Sequence, residues 1–364
     1  MKTSTIGDPR QDPEDVDPEW LTSALEAGGI AKGATITNVC FDGLIGTGQT
    51  GRNARFLLNW DDSEGRPASV VGKFASADPS TRDGAFERGT YQREWNFYVN
   101  VAPTVRVRAP QCYVALHDAE HSGFVLIMED LAGSAQGDQF VGLTVEEAEL
   151  AMTQAVALHA PRWGDPTVQQ LFGEGDLLPA ERAERSTMFY DFTLEPCIAQ
   201  LGSRLESDTI DLCRRFKSTI GAWTLGNDSP QTIVHYDFRP DNLLFGQSPT
   251  APPLVVVDWQ TVNAGLGMTD VAYLIGGGFL PTQRAVVERD LVESYRQQLT
   301  ATGIEYNADT CWRDYRFGSL WGLIISVIAT IAAAQTERGD DMLATMANRH
   351  ARHALDLDAL SLLE

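Results

Sequence analysis

The sequence predicts an α+β protein of two lobes: a small antiparallel sheet early in the chain and a larger, mostly helical remainder. Three observations carry that reading. The chain has 364 residues, more than one ordinary hydrophobic core organises. Short apolar runs of strand character, at 34–41, 53–60, 68–74 and 124–128, fall early. Segments of helical period, at about 144–160, 282–302, 309–336 and 341–362, fall late.

Composition narrows the class. A hydrophobic content of 43% is that of a soluble globular enzyme. The formal charge of −22 argues against nucleic acid, whose phosphates demand a basic footprint. Such acidity is compatible with a cationic substrate, and equally with solubility. The five cysteines form no CxxC pair, which fits reduced thiols in a cytoplasmic protein and neither a disulfide framework nor a zinc site. The N-terminus is acidic and Pro-rich, unlike a secretory signal. Residues Phe317 to Ala334 carry no charge, but their small and hydroxylated members favour a buried helix over a membrane span.

Taken in order, residues 1–16 read as a flexible tail. Asp17-Pro18-Glu19 then supplies an N-cap, a proline at the first helical position and an acid in the first turn. After a first strand comes Gly46-Thr47-Gly48-Gln49-Thr50-Gly51, a G-x-G-x-x-G string. A dinucleotide fold needs a helix after these glycines. Here a strand follows, so the loop joins two strands, and the missing Gly-Lys-Ser/Thr excludes a Walker-type P-loop. Lys73 lies inside an apolar strand, either as edge decoration or as a buried cation needing a partner. The segment 86–99 has helical spacing and carries Glu94, with Glu87 as the competing acid. Thr144-x-x-Glu147 is a capping box for the next helix.

The chain is organised around Ile233 to Gln260. Apolar runs at Asn242–Phe245 and Leu254–Asp258 flank a Gly, Ser and Pro-rich connection, the pattern of a β-hairpin with a loose loop. An antiparallel hairpin brings Asn242 and Asp258 to one end, and Asp237 feeds the same end. Two carboxylates and an amide in one small volume are costly unless cations occupy it. Hard oxygen ligands of this kind suit Mg²⁺ bound also to phosphate, and Asp237 is left to accept a proton from an attacking hydroxyl.

His235-x-Asp237-x₄-Asn242, with Asp258 after an apolar run, resembles the catalytic loop and metal-binding Asp of protein-kinase-like folds. Asp258-Trp259-Gln260 stands where protein kinases have Asp-Phe-Gly, and no Ala-Pro-Glu follows. The chain resembles the aminoglycoside and choline phosphotransferase group. Its Leu158-His159-Ala160-x-x-Trp163 segment resembles the ecdysteroid-kinase-like branch most closely. The resemblance implies a bilobal protein-kinase-like fold, with an N-lobe over 17–131 and a C-lobe over 132–364. It also implies an ATP-dependent transfer of phosphate to a hydroxyl of a small molecule, with no nucleic acid or membrane partner. Asp237 would be the base, and Asn242 and Asp258 the Mg²⁺ ligands. Gly46, Gly48 and Gly51 would cover the phosphates, and Lys73, paired with Glu94, would grip them. Glu129 and Leu131 would offer backbone groups to adenine. Asp270 would brace the catalytic loop and His159 would pack beneath it. One departure stands out: Tyr236 occupies a position where small-molecule kinases usually have glycine. The alternative is a nucleotide-binding pseudokinase with a regulatory or scaffolding role. Pseudokinases typically lack the lysine, the base or the metal Asp, all of which are present here.

Overall fold

The computed structural model describes residues 8–46, 50–172, 178–226, 228–332 and 336–364. The chain divides into two compact units, Met1–Pro103 with Ala109–Gly133 and Val257–Thr261, and Thr104–Arg108 with Ser134–Val256 and Val262–Glu364.

The first unit opens on α1 (Pro18–Ala27), whose cap forms as the sequence dictates: the Asp17 side chain accepts from the Trp20 amide and Pro18 starts the helix. Ahead of it, Pro13 and Val16 are buried. Strands β1 (Ile36–Ile45), β2 (Gly51–Trp60) and β3 (Ser69–Ala75) follow, then α2 (Pro79–Glu87) and α3 (Thr90–Asn96). Strands β4 (Cys112–Asp118) and β5 (Gly123–Glu129) complete an antiparallel sheet ordered β1-β2-β3-β5-β4. Its inner face packs Phe56, Phe74, Val125 and Ile127 against Leu21 and Leu25 of α1. The single helix expected over 86–99 is interrupted, because Gly89 takes φ +67 just after α2 and ends it. Beyond α3 the chain widens into a π-helical turn over Phe97–Val101.

The second unit is mostly helical. It contains β6 (Ser134–Gln136), α4 (Val145–His159), α5 (Pro179–Leu201), α6 (Ser207–Phe216), α7 (Ile220–Leu225) and β7 (Thr232–Val234). Next come β8 (Leu243–Gly246), β9 (Leu254–Val256) and β10 (Asn263–Gly265), then α8 (Met268–Gly278), α9 (Pro281–Ala301), α10 (Ala308–Gly318), α11 (Trp321–Ala332) and α12 (Glu337–Asp356). The Thr144–Glu147 capping box starts α4 with both reciprocal bonds made. Two small antiparallel sheets, β6-β8-β9 and β7-β10, carry the central stretch of sequence. The helix expected over 309–336 is two helices. Its break follows Gly318, where a Cβ would lie 2.8 Å from the Met268 carbonyl, so α8 passes too close for a side chain. Leu320, Leu323, Ile324 and Val327 from the uncharged stretch pack with Tyr190, Leu194 and Phe216 in one core. Among the described residues no helix is long and apolar enough to cross a membrane. The antiparallel sheet of the first unit and the helices of the second give the α+β composition that the sequence predicts.

His350 of α12 lies deep in the second unit at 1% exposure, its ring parallel to that of Tyr273 at 4.9 Å. Neither ring nitrogen has a partner among the described residues. Burial, then Arg349 and Arg284, push its pKa down to about 3. The unfolded chain therefore binds a proton that the native state refuses as pH falls below about 6.5, and stability drops from there toward pH 3. His350→Phe keeps a ring in the stack and cannot protonate. Thermal melts of both proteins between pH 7 and 4 are expected to show a shallower loss in the variant.

Candidate active site

Two groups of polar residues stand out, one in each unit. In the first unit Lys73 is 8% exposed, although it sits within a strand of apolar residues. An ammonium tolerates that only with anionic partners. It donates to Glu94 Oε1 at 2.7 Å and to Asp258 Oδ1 at 2.9 Å. Burial alone would depress the lysine pKa; the carboxylates of Asp258 and Glu94 outweigh it and hold the value above the ordinary one. Glu94 reaches Lys73 because Tyr91, one helical turn earlier on α3, fixes that face. The Tyr91 hydroxyl accepts from the Ser76 amide at 3.0 Å and donates to the Thr50 carbonyl at 2.5 Å. Glu87, the competing acid, is exposed at the end of α2.

Asp258 lies two residues beyond β9 and takes φ +67, a conformation rare outside glycine. Trp259 is fully buried and stacks on Phe97 at 3.7 Å, which holds the backbone at that turn. Gln260 accepts from the Thr50 hydroxyl at 2.6 Å, donates to Asp258 Oδ2 at 3.3 Å, and through its carbonyl accepts from Arg93 at 3.1 Å. The sequence reading gave Thr50, Arg93 and Gln260 no part; only the Gln in place of Gly after Asp258-Trp259 hinted at one.

Gly46 turns the chain at φ +73 after β1. Gly51 opens β2, and a Cβ there would meet the Phe74 carbonyl at 3.0 Å and the Lys73 stem at 3.5 Å. Gly48 lies outside the described residues. Glu129 pairs with Val70 and Leu126 with Lys73, so Glu129 sits three positions from the lysine, about 10 Å along the sheet. Leu131 lies two residues beyond the end of β5 and is half-buried.

In the second unit the loop after β7 is gripped from below. Asp270, fully buried in the first turn of α8, accepts from the amides of His235 at 2.7 Å and Tyr236 at 2.8 Å. His159 closes α4 fully buried, with Nδ1 2.8 Å from the Tyr295 hydroxyl and Nε2 3.2 Å from Asp270. Tyr236 takes φ +65, a conformation that favours glycine. Its carbonyl accepts from the Trp321 indole at 2.8 Å, and its ring packs edge-on against that indole. Gly265 makes room for it, since a Cβ there would lie 2.1 Å from the tyrosine oxygen.

The loop then presents Asp237. Its Oδ1 accepts from Arg239 at 3.0 Å and from the Tyr273 hydroxyl at 3.3 Å; its Oδ2 accepts from the Asn242 amide at 2.7 Å. Asn242 also donates to the Asp237 carbonyl at 2.8 Å. It closes a 3₁₀ turn, Pro240–Asn242, and β8 starts one residue later. Leu243 pairs with Val256, so the ladder ends one residue after Asn242 on one strand and two before Asp258 on the other. Arg239 also binds Asp241 at 2.5 Å, and Asp241 Oδ1 accepts from the Gln139 amide at 2.8 Å. Burial alone would lower the Arg239 pKa; the Asp237 and Asp241 carboxylates raise it.

Because Asp270 satisfies two buried backbone donors of a strained loop, its loss is costly. Asp270→Ala is expected to lower the unfolding free energy by about 3 kcal/mol, read from denaturant melts.

The same fold occurs in solved structures. A Plasmodium vivax ethanolamine kinase matches over 88% of this chain and 82% of its own, with a TM-score of 0.55 and 11% identity. The GDP complex of aminoglycoside 2'-phosphotransferase-IIIa matches over 90% and 98%, with a TM-score of 0.52 and 17% identity. Choline kinase from Cryptosporidium parvum Iowa II matches over 88% and 89%, with a TM-score of 0.52 and 12% identity. No curated protein sequence matches the chain. At such identities these likenesses speak for the fold. A sequence model of the phosphotransferase enzyme family, however, matches residues 51–316, from the first residue of β2 into α10. The chain belongs to the phosphotransferase enzyme family.

Proposed function

We propose that the protein moves the γ-phosphate of ATP to a hydroxyl of a small molecule. The observation that carries this reading is the Asp237 carboxylate, held on both oxygens within a loop whose backbone is itself locked by Asp270. A carboxylate so fixed orients an attacking hydroxyl and takes its proton. In the transfer, the acceptor oxygen bonds to the γ-phosphorus as the bond to the β-phosphate oxygen breaks. ADP leaves, and the hydroxyl proton goes to Asp237.

Lys73 carries the charge for the phosphates of ATP, and Glu94 keeps it in place. Gly46, Gly48 and Gly51 offer a backbone that approaches the phosphates closely, and Glu129 and Leu131 offer backbone groups to the adenine. The donor chemistry fits Mg²⁺. Two carboxylates face the single ammonium of Lys73, which leaves negative charge over, and Asn242 turns its amide nitrogen to Asp237, so its oxygen would be the atom available to a metal. Asn242 and Asp258 would hold the ion, which supplies charge neutralisation to the phosphate oxygens when bound.

We assign the nucleotide to 17–131, with Asp258 added, and the acceptor to 132–364. The acceptor class is a hydroxylated metabolite, a sterol-like compound or an antibiotic. The ethanolamine kinase, choline kinase and aminoglycoside phosphotransferase names of the structural neighbours support a small acceptor. The Leu158-His159-Ala160-x-x-Trp163 segment supports the ecdysteroid-kinase-like branch. Five free cysteines support a cytoplasmic setting.

Two measurements test this reading. Lys73→Ala is expected to weaken ATP binding while leaving adenosine nearly unaffected by calorimetry; equal losses would assign Lys73 to folding instead. Asp237→Asn is expected to lower kcat on a true acceptor about 10²- to 10⁴-fold, with ATP affinity changed less than about tenfold. A wild-type protein that binds ATP yet phosphorylates nothing in a broad screen of hydroxylated compounds would refute the transferase reading.

A further inference from the structure

We infer that Tyr273 is a positioning residue for the Asp237 carboxylate, tying the base to α8 through its phenol hydroxyl. The inference rests on the reading of Asp237 as the base. Of the side chains that donate to this carboxylate among the described residues, Arg239 and Asn242 belong to the same loop. They fix the carboxylate relative to the loop and move whenever the loop moves. Tyr273 is the donor that comes from elsewhere.

Helix α8 makes this possible by its period. Asp270 and Tyr273 are three residues apart and so share one face of the helix. The first holds the backbone of His235 and Tyr236, and the second reaches the carboxylate of the next residue. One helix thus grips the loop at its main chain and at its reacting group.

The hydroxyl is itself held still. Tyr273 is 1% exposed, and its ring lies nearly parallel to that of His350, at 9°. The imidazole is wedged by glycines: a Cβ at Gly322 would lie 2.2 Å from it, and one at Gly276 2.9 Å. Burial holds the phenol pKa well above its ordinary value, so the hydroxyl keeps its proton and donates. An interior this closely packed transmits position, and a small misplacement of a reacting group is costly in rate.

The test removes only the hydroxyl. Tyr273→Phe is made in the full chain, alone and combined with Asp237→Asn. Turnover is followed with the best acceptor from a hydroxylated-compound screen, or as slow transfer to water if none is found. ATP affinity comes from calorimetry and folding from the thermal midpoint. Tyr273→Phe is expected to lower kcat by on the order of tenfold, with the ATP dissociation constant and acceptor KM within about twofold. The thermal midpoint should stay within about 2 °C. In the Asp237→Asn background the second change should cost nothing further, because it acts through that carboxylate. The inference is overturned by an unchanged kcat, by an equal loss in the Asp237→Asn background, or by a fall in kcat with parallel losses of ATP affinity and folding. A Tyr273→Phe protein without a cooperative melt also counts against it. If Asp237→Asn lowers kcat and Tyr273→Phe does not, only this inference falls. If the wild type transfers phosphate to neither acceptor nor water, the assignment of Asp237 falls with it.

Discussion

A buried ammonium is the constraint on which the first unit depends. Removing Lys73 from water is expensive, and the expense is offset only if anionic oxygens surround it with good geometry. The chain supplies these from two distant places. Glu94 arrives on α3, which starts after the left-handed Gly89. Asp258 arrives from a segment 185 residues further on, through a left-handed backbone that Trp259 pins into the apolar interior. One carboxylate would match the ammonium's charge; the two together fix its position from two sides. The sheet, the helix and the returning segment are therefore held to one arrangement by electrostatics as much as by apolar burial.

The second unit is organised by a carboxylate that never meets solvent. Asp270 has no acid–base task in the proposed chemistry; it supplies two acceptor oxygens to a loop whose backbone cannot satisfy its own amides. His159 and Tyr295 support it from behind. The loop can then present Asp237, Arg239, Asp241 and Asn242 as one mutually bonded set. Rigidity below allows polar side chains to be displayed above, the usual arrangement of a loop carrying function on a packed scaffold.

Much of this was legible in the sequence, where local chemistry decides the outcome. The Asp17-Pro18 helix start, the Thr144–Glu147 capping box and the Leu243–Val256 hairpin follow from residue types at short range. That a buried Lys73 needs a partner was legible from its place within an apolar strand, while the choice of Glu94 over Glu87 came from the family resemblance. What escaped were effects of tertiary approach. The close approach of the Met268 backbone to Gly318, just before the break, is one that periodicity along α10 and α11 cannot reveal. Gln260 and Thr50 lie 210 residues apart, and their hydrogen bond has no local signature. Tyr273 escaped as well, since nothing in its neighbours indicates that its hydroxyl meets a carboxylate.

The glycine opposite Tyr236 has a consequence for how this sequence can vary. The tyrosine oxygen occupies the volume that any side chain at 265 would need. The two positions are thus sterically coupled: with the tyrosine ring in this place, a side chain at 265 requires the ring to shift, and a glycine at 236 removes the conflict. In descendants of this chain the pair should change in a fixed order, with 236 shrinking before 265 grows. The opposite order passes through an intermediate in which the ring must leave its place against Trp321, and that route is the costlier one.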